Sequence, residues 1–572
     1  MKVSISKSKN STVLYISKSV RINGKSTTKT VERLGTLEEV KLRAGDQDPL
    51  EWAKEYAREL TQKEKEGQRN VMVKYSSGKQ IPKDKQQLFN GGYLFLQDIY
   101  YALGLDKICR DISDRYKFEF NLNEILSYLV YSRIIYPASK LATHKLSRKY
   151  IEQPSFDLQH IYRALEILAL ENDFIQAELY KNSHKIYERN KGVLFYDCTN
   201  YYFEIEIDDD FRKYGYSKEN KPNPIVQMGL FMDGNGVPLA FDLTPGNTNE
   251  QTTLRPLEKK ILKDFGVENI VVCTDAGLSS YENRKFNSRM CRGFITTQSI
   301  KSLKGYLQDF CLDPTGWKLS ENGKEYDISK FTEEDEKKYR NETFYKSRWM
   351  NEHGLEQQLI VTYSIKYRDY NRAIRSRQVE RAEKAIEKNS VDRHSSTDYK
   401  RLIDTKHCTG DGEIAEKKVS AVDDEKVRKE ESYDGFYAIC TNLESDKDEL
   451  IKVSRKRWEI EECFRIMKHE FKARPVYLSN EDRIRAHFLT CFIALMVYRI
   501  LENRLSGEYT CEEIISELRS FNFLRIEGEG YVPTYTRTDI TDKLHETSGF
   551  RTDYQIVTNR EMKKIFKSTK KR

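Results

Sequence analysis

The chain has 572 residues, 38% apolar and 12% aromatic, which is enough to build well-formed cores and excludes wholesale disorder; its length calls for about two to four domains. Lys and Arg number 97 against 89 Asp and Glu, a net charge of +8, a mild excess that permits a polyanionic partner without requiring one. No apolar h-region opens the chain, the longest apolar stretch (Phe488 to Leu501) is short and carries Arg499, and the ten cysteines form neither a CxxC pair nor a zinc-spaced cluster. The expectation is therefore a cytosolic protein with reduced core thiols, without secretory signal, membrane span or zinc site.

In chain order, "TVLYISKSVRI" and "KSTTKTVERLG" flank Asn23-Gly24, a dipeptide suited to a tight type I′ turn, and predict a β-hairpin. A charged helix is expected from about Leu50 to Gly67, then a lysine-rich linker. From Gly91 to Asn190 the apolar spacing is helical, as in "YLFLQDIYYALGL" and "NEILSYLVYSRIIY", and predicts an all-helical domain. The texture then changes. "VLFYDCTNYYFEIE" reads as a covered strand with Asp197 in its middle. "NPIVQMGLFMDGNGVPLAFDLTPGN" reads as two strands joined at Asp233-Gly234-Asn235-Gly236; a helix, "QTTLRPLEKKILKDFG", follows, and then a strand, "ENIVVCTDAGL", ending at Asp275. These make an α/β unit. Between about Lys301 and Glu431 the pattern loses coherence, partly β-rich and partly charged, and is too long for a simple connection; an inserted subdomain is expected. Strand character returns in "YDGFYAICTN", a long helix is expected from Asp448 to Lys472 and an apolar one from Ile484 to Leu505, and "MKKIFKSTKKR" reads as a basic tail.

A lone carboxylate inside a buried strand is costly unless something pairs with it, so Asp197 needs a partner. On the helix from Asp448, at about 100° per residue, Ile460, Phe464, Met467 and Phe471 share an arc of roughly 60° and form the buried stripe. Arg457, Glu461, Arg465 and Lys468 fall on the adjoining flank. Each feature alone has a plain reading: a solvated face of spaced ion pairs, a locally bonded strand Asp, a turn-forming Asp. Together, three acids on two strands and a helix can converge on divalent cations through oxygen ligands and support phosphoryl transfer. A metal would then compensate Asp197.

The chain resembles bacterial insertion-sequence transposases of the DDE type, in the group marked by a Tyr-x2-Arg-x3-Glu-x6-Lys signature (insertion-sequence-four superfamily). Ser454-x2-Arg457-x3-Glu461-x6-Lys468 keeps every spacing and three of the four residues. "FYDCTNYYFE", "GYSKENKPNPIVQMGL", "PGNTNE", "TDAGLSS", "RWEIEECFRIMK", "ARPVYLSNEDRIRAHFLTCFIAL" and "SRIIYPASKLATHK" match as well. The resemblance implies a ribonuclease-H-like catalytic core with a mostly β insertion. It implies Asp197, Asp275 and Glu461 as the catalytic, metal-binding triad holding two Mg²⁺ or Mn²⁺ ions, and cleavage at element ends followed by strand transfer. Arg457 and Lys468 would contact DNA backbone. Ser454 stands where the group has Tyr, which grips phosphate near an extruded base; serine cannot stack, and Trp458 could stack instead or else pack in the core. Trp317 and Trp349 carry the same two readings. Asn247 and Glu250 could support the site or cap a helix, and His487 reads as a core histidine.

The expected layout is a hairpin and helix (1–70), a helical DNA-binding domain (88–190), the core's first part (191–300), the insertion (301–431), the core's second part with the Glu-bearing helix (432–505) and a C-terminal region (506–572). Lys140, Lys145, Arg148 and Lys149 would add phosphate contacts. Double-stranded DNA, of element ends and target, is the expected partner, with a homodimer or higher assembly and a cytoplasmic, nucleoid-associated location. Two alternatives are a catalytically silent DNA-binding remnant acting as a regulator and a two-carboxylate hydrolase such as a glycosidase.

Overall fold

The computed structural model describes residues 1–7, 11–22, 25–45, 47–67, 73, 76–266, 270–289, 292–320, 323–388, 390–391, 398–408 and 417–571. Two compact units emerge, Met1–Lys85 and Gln86–Arg572. In the first, strands Lys2–Lys7, Thr12–Ile22 and Lys25–Thr36 form one antiparallel sheet. Ile22 pairs with Lys25; the Asn23-Gly24 turn itself lies outside the described residues. Helices Leu37–Ala44 and Pro49–Gly67 cover the sheet through Val40, Ala53 and Ala57, which meet Leu14, Ile16 and Leu34.

The second unit is built on an eight-stranded mixed sheet. Its strands are β1 (Val193–Tyr202), β2 (Ile225–Asp233), β3 (Pro238–Pro245), β4 (Val271–Thr274), β5 (Gly293–Gln298), β6 (Phe344–Glu352), β7 (Leu355–Tyr363) and β8 (Phe436–Thr441). The order is β6-β7-β8-β5-β4-β1-β2-β3. Only β1–β4 and β4–β5 run parallel. The β2–β3 turn is tied by the Asp233 carboxylate, whose Oδ1 accepts from the backbone N–H groups of Asn235 and Val237 at 3.0 Å each. Gly236 there takes φ +80, a left-handed conformation that glycine adopts without strain. Helix α1 (Glu250–Asp264) crosses from β3 towards β4 and packs on β2 and β3.

The expected insertion contributes to the central sheet. Its two strands, β6 and β7, join the edge of the central sheet through β8. The reason is burial: Leu359, Ile360 and Val361 are covered on both faces, as in an interior strand, and β8 supplies the partner edge. Around them sit the long helix Ile365–Glu387 and an aromatic cluster on Trp317.

The helix expected from Asp448 to Lys472 is broken. It runs as α2 (Lys447–Arg455), turns at Lys456 and Arg457, resumes as α3 (Trp458–Arg465) and ends in a π turn, Ile466–Glu470. At the first break the bonds tighten to i→i+3, from Arg457 N–H to the Ser454 carbonyl and from Ile460 N–H to the Arg457 carbonyl. Ile460, Phe464, Met467 and Phe471 are buried as the periodicity requires.

Helix α4 (Glu481–Arg504) is long and apolar enough to cross a membrane by composition, yet its apolar stretch is almost wholly inside the protein. It packs against β3 and against helices Tyr93–Ala102, Leu122–Ile135 and Leu158–Leu170, so the helical segment and the sheet share one core. The C-terminal chain closes this core. Strand Asn522–Ile526 pairs with Leu88–Asn90. The expected basic tail is instead an ordered helix, Asn559–Thr569, seated on Tyr93–Ala102 through Met562 and Ile565. Eight cysteines are free and buried among the described residues.

Candidate active site

The parallel pairing of β1 with β4 sets Phe195 opposite Cys273. Side chains alternate faces along a strand, so Asp197 and Asp275, each two residues further on, come abreast on the same face. Asp197 is buried, and its Oδ1 accepts from the Cys198 backbone N–H at 2.7 Å. Asp275 lies just past β4, where its Oδ1 accepts from the Leu278 N–H at 3.0 Å and caps a short turn. Burial pushes the Asp197 carboxyl up to about 7, and the Asp275 charge pushes the same way against Lys218 and Arg457. The protein's own cations thus do not fully compensate this buried acid.

Glu461 arrives on α3, which packs on β1 and buries Ile460, Cys463 and Phe464. Its side chain is 55% exposed and pairs with Arg457 at 2.8 Å. Arg457 is common to all three acids: Glu461, Asp197 and Asp275 each raise its guanidinium against the lowering effect of burial. Among the described residues, the trio of ligand atoms found within 4.8 Å of one another is Asp542, His545 and Asp553, not the three acids of this site. That trio is an ion-pair network, with Arg537 on Asp542 at 2.7 Å and Arg551 on Asp553 at 2.6 Å. Asp197 and Asp275, by contrast, come abreast in the strand register, with Asp197 lacking a full counter-charge, and such a pair of oxygen donors fits a hard divalent cation.

Two cations do not flank Glu461 as the helical wheel placed them. Arg465 pairs with Glu462, its Nε at 2.7 Å. Lys468 is swung by the π turn to Glu219 at 3.1 Å and lies over the Tyr201 ring at 5.5 Å. A straight-helix wheel fails wherever an extra residue enters a turn. Ser454 is buried near the end of α2, which argues against a direct phosphate grip. Trp458 is 61% exposed beside Arg457, so it is not a core residue, whereas Trp317 is fully buried. Trp349 is half-exposed on β6.

Asn247 is exposed. The cap of α1 is Asn249, which accepts from the Gln251 N–H at 3.0 Å, while Glu250 pairs with Lys218 at 3.1 Å. His487 is a core histidine whose Nε2 bonds the Ala473 carbonyl at 3.1 Å. Lys145, Arg148 and Lys149 are exposed and Lys140 is buried.

Sequence reasoning missed Lys218 and Glu219. Lys218 Nζ donates to the Cys198 carbonyl at 2.6 Å, beside Asp197. Burial lowers its ammonium, but Asp197 and Glu250 outweigh that and raise it. Glu219 accepts from Lys468 and from Arg474, the latter at 2.9 Å. Both residues lie in an irregular loop between β1 and β2, where no periodicity marks them; the quoted run "GYSKENKPNP" was the sole signal.

A family model described as the transposase DDE domain matches residues 192–497. Among solved structures, the chain is similar to one described as a cryo-EM structure of the piggyBac transposase synaptic complex with hairpin DNA. The identity is 7%, over 83% of this chain and 85% of that one, with a TM-score of 0.35. No curated protein sequence matches the chain.

Proposed function

The chain belongs to the transposase DDE domain family, and on that premise we propose that it is an insertion-sequence DNA transposase of the Tyr-Arg-Glu-Lys signature group, cutting element ends and joining them to target DNA. The observation that carries this reading is the register of β1 and β4, which sets Asp197 beside Asp275, with Arg457 linking the pair to Glu461. In this reading the sheet is ribonuclease-H-like and the protein is bacterial and cytoplasmic, associated with the nucleoid when on DNA. Two copies or more hold a pair of ends, and the Met1–Lys85 unit and the helical segment bind them.

Asp197, Asp275 and Glu461 would hold two Mg²⁺ or Mn²⁺ ions, which when bound activate the attacking oxygen and stabilise the leaving one in an in-line displacement. Arg457 offers a planar, two-pronged donor to a DNA phosphate once Glu461 is engaged elsewhere. Trp458, exposed next to it, offers a ring to an unpaired base. Lys468 acts on the backbone from the other side of Glu219, and Ser454 supports the turn that aims Arg457.

The test is incubation of labelled end DNA with Mg²⁺ or Mn²⁺, comparing the natural protein with Asp275→Ala. The natural protein is expected to nick, and the variant to be slower by about 10³-fold or more, the scale of several kcal/mol of lost charge stabilisation. Equal cutting by both overturns the triad. Binding of ends by both without cutting by either favours the silent regulator.

A further inference from the structure

A cavity of about 300 Å³ opens where the helical segment meets the chain leaving the Glu461 helix, at the lower end of the range for ligand pockets, about 300–1,000 Å³. Its walls come from residues 133–141 and 472–478, with Tyr162 and His487. Arg133, Lys140, Lys472 and Arg474 line it, and no acidic residue does. Lys140 is 4% exposed, and its Nζ has no hydrogen-bond partner. Arg133 is equally buried at 4%. Its Nη1 donates to the Phe471 carbonyl at 3.1 Å and its Nη2 to the Ala138 carbonyl at 3.3 Å, leaving Nε without a partner. His487 adds no charge, since burial and then Arg133 and Lys140 hold it well below its usual range.

A buried ammonium with no acceptor is expensive, and proteins normally pair it or discharge it. Here burial, with Arg133 adding to it, pushes Lys140 down to about 7, while among the described residues nothing pairs it. A chain of contacts that passes through the Lys218–Glu219 backbone joins this cavity to the neighbourhood of Asp197. Arg474 shares Glu219 with Lys468, and Lys218, the residue before Glu219, donates to the Cys198 carbonyl next to Asp197.

We propose that this cavity is a phosphoryl-binding site, in which Lys140 Nζ and Arg133 Nε donate to the oxygens of one phosphate while Lys472 and Arg474 flank its entrance. A phosphodiester of bound DNA is the natural source, and that source rests on the transposase reading; a free phosphate or nucleotide offers the same chemistry. The site differs from the exposed Lys145, Arg148 and Lys149 in being enclosed, so it takes one phosphate in one place.

The test uses the full chain, Lys140→Met, and Lys337→Met as an exposed control outside the proposed DNA contacts, without divalent metal so that no DNA is cut. Melting is followed with and without inorganic phosphate, and duplex DNA binding is followed by anisotropy across a salt series. Phosphate is expected to stabilise the natural protein and not Lys140→Met, while Lys140→Met without phosphate melts no lower than the natural protein. DNA affinity should fall about tenfold, the scale of one charged hydrogen bond, and the salt slope by about 1, one phosphate contact. Phosphate discrimination with unchanged DNA binding supports the site and assigns it a free phosphate or nucleotide. Phosphate discrimination in a chain that binds no DNA sinks the transposase reading and leaves the site standing. No phosphate effect with unchanged DNA binding overturns the site, as does a Lys140→Met protein that melts lower when empty, because Lys140 is then structural.

Discussion

Asp197 and Lys140 are the same kind of residue with opposite sign. Each is buried, each meets too little opposite charge from the protein, and burial drives the acid up and the base down until both stand at about 7. The Arg189–Asp233 pair is the counter-example within the same unit: both side chains are at most 1% exposed and they meet at 2.8 Å. Where charge only holds the fold together, this protein pairs it. In the proposed reading, the charge left over at these two places is completed by an outside ion of opposite sign, a cation at the carboxylates and a phosphate in the cavity.

The largest effect that tests this contrast is at Asp197. Asp197→Asn is expected to lower end cleavage by about 10³-fold or more, as for its neighbour, with DNA binding retained. The same variant, free of metal at pH 8, should melt no lower than the natural protein, because a neutral amide replaces a buried charge; a drop breaks the parallel with Lys140. Next comes Glu258, a buried acid at neither site, bonded to Asn287 at 3.1 Å and pushed by burial to about 7 from 4.5. Its folded value is the higher one, so the folded state holds the extra proton. The stability it lends is full below pH about 4.5 and is lost as pH rises through about 7. Glu258→Gln should flatten that loss, by at most about 3 kcal/mol, in urea titrations at pH 5 and pH 8. Unchanged pH dependence means that burial alone does not set these values. The smallest effect belongs to Trp458. Trp458→Ala should weaken binding to ends with unpaired bases by about tenfold, within the 1–3 kcal/mol of one stacked base, and leave melting unchanged; a loss of stability instead makes it a packing residue.

The sequence was most legible where chemistry and local pattern coincide. Asp197 stood out as a carboxylate in a covered strand, Asp275 as a strand-ending acid, and Glu461 through its spacing from Arg457 and Lys468. It was least legible where partners are distant. Nothing near β6 and β7 says that β8 will receive them into the central sheet, or that "MKKIF" will dock on the helix at Tyr93. Trp458 and Trp317 read alike in sequence, and only the burial of one and exposure of the other separates them. Lys468 was misplaced because a wheel at constant pitch cannot anticipate the π turn at Ile466–Glu470.

The sequence by itself singled out Asp197, Asp275 and Glu461 as the candidate acids and determined the strand and helix character around them, because residue type and short-range periodicity encode those. Tertiary structure alone decided that Asp197 comes abreast of Asp275, that Lys468 pairs with Glu219 and that Lys140 lies buried in a cavity it shares with Lys472 and Arg474. Each of these is a meeting of segments far apart in the chain, set by strand register and by how one core closes over another, and neither leaves a mark on neighbouring residues.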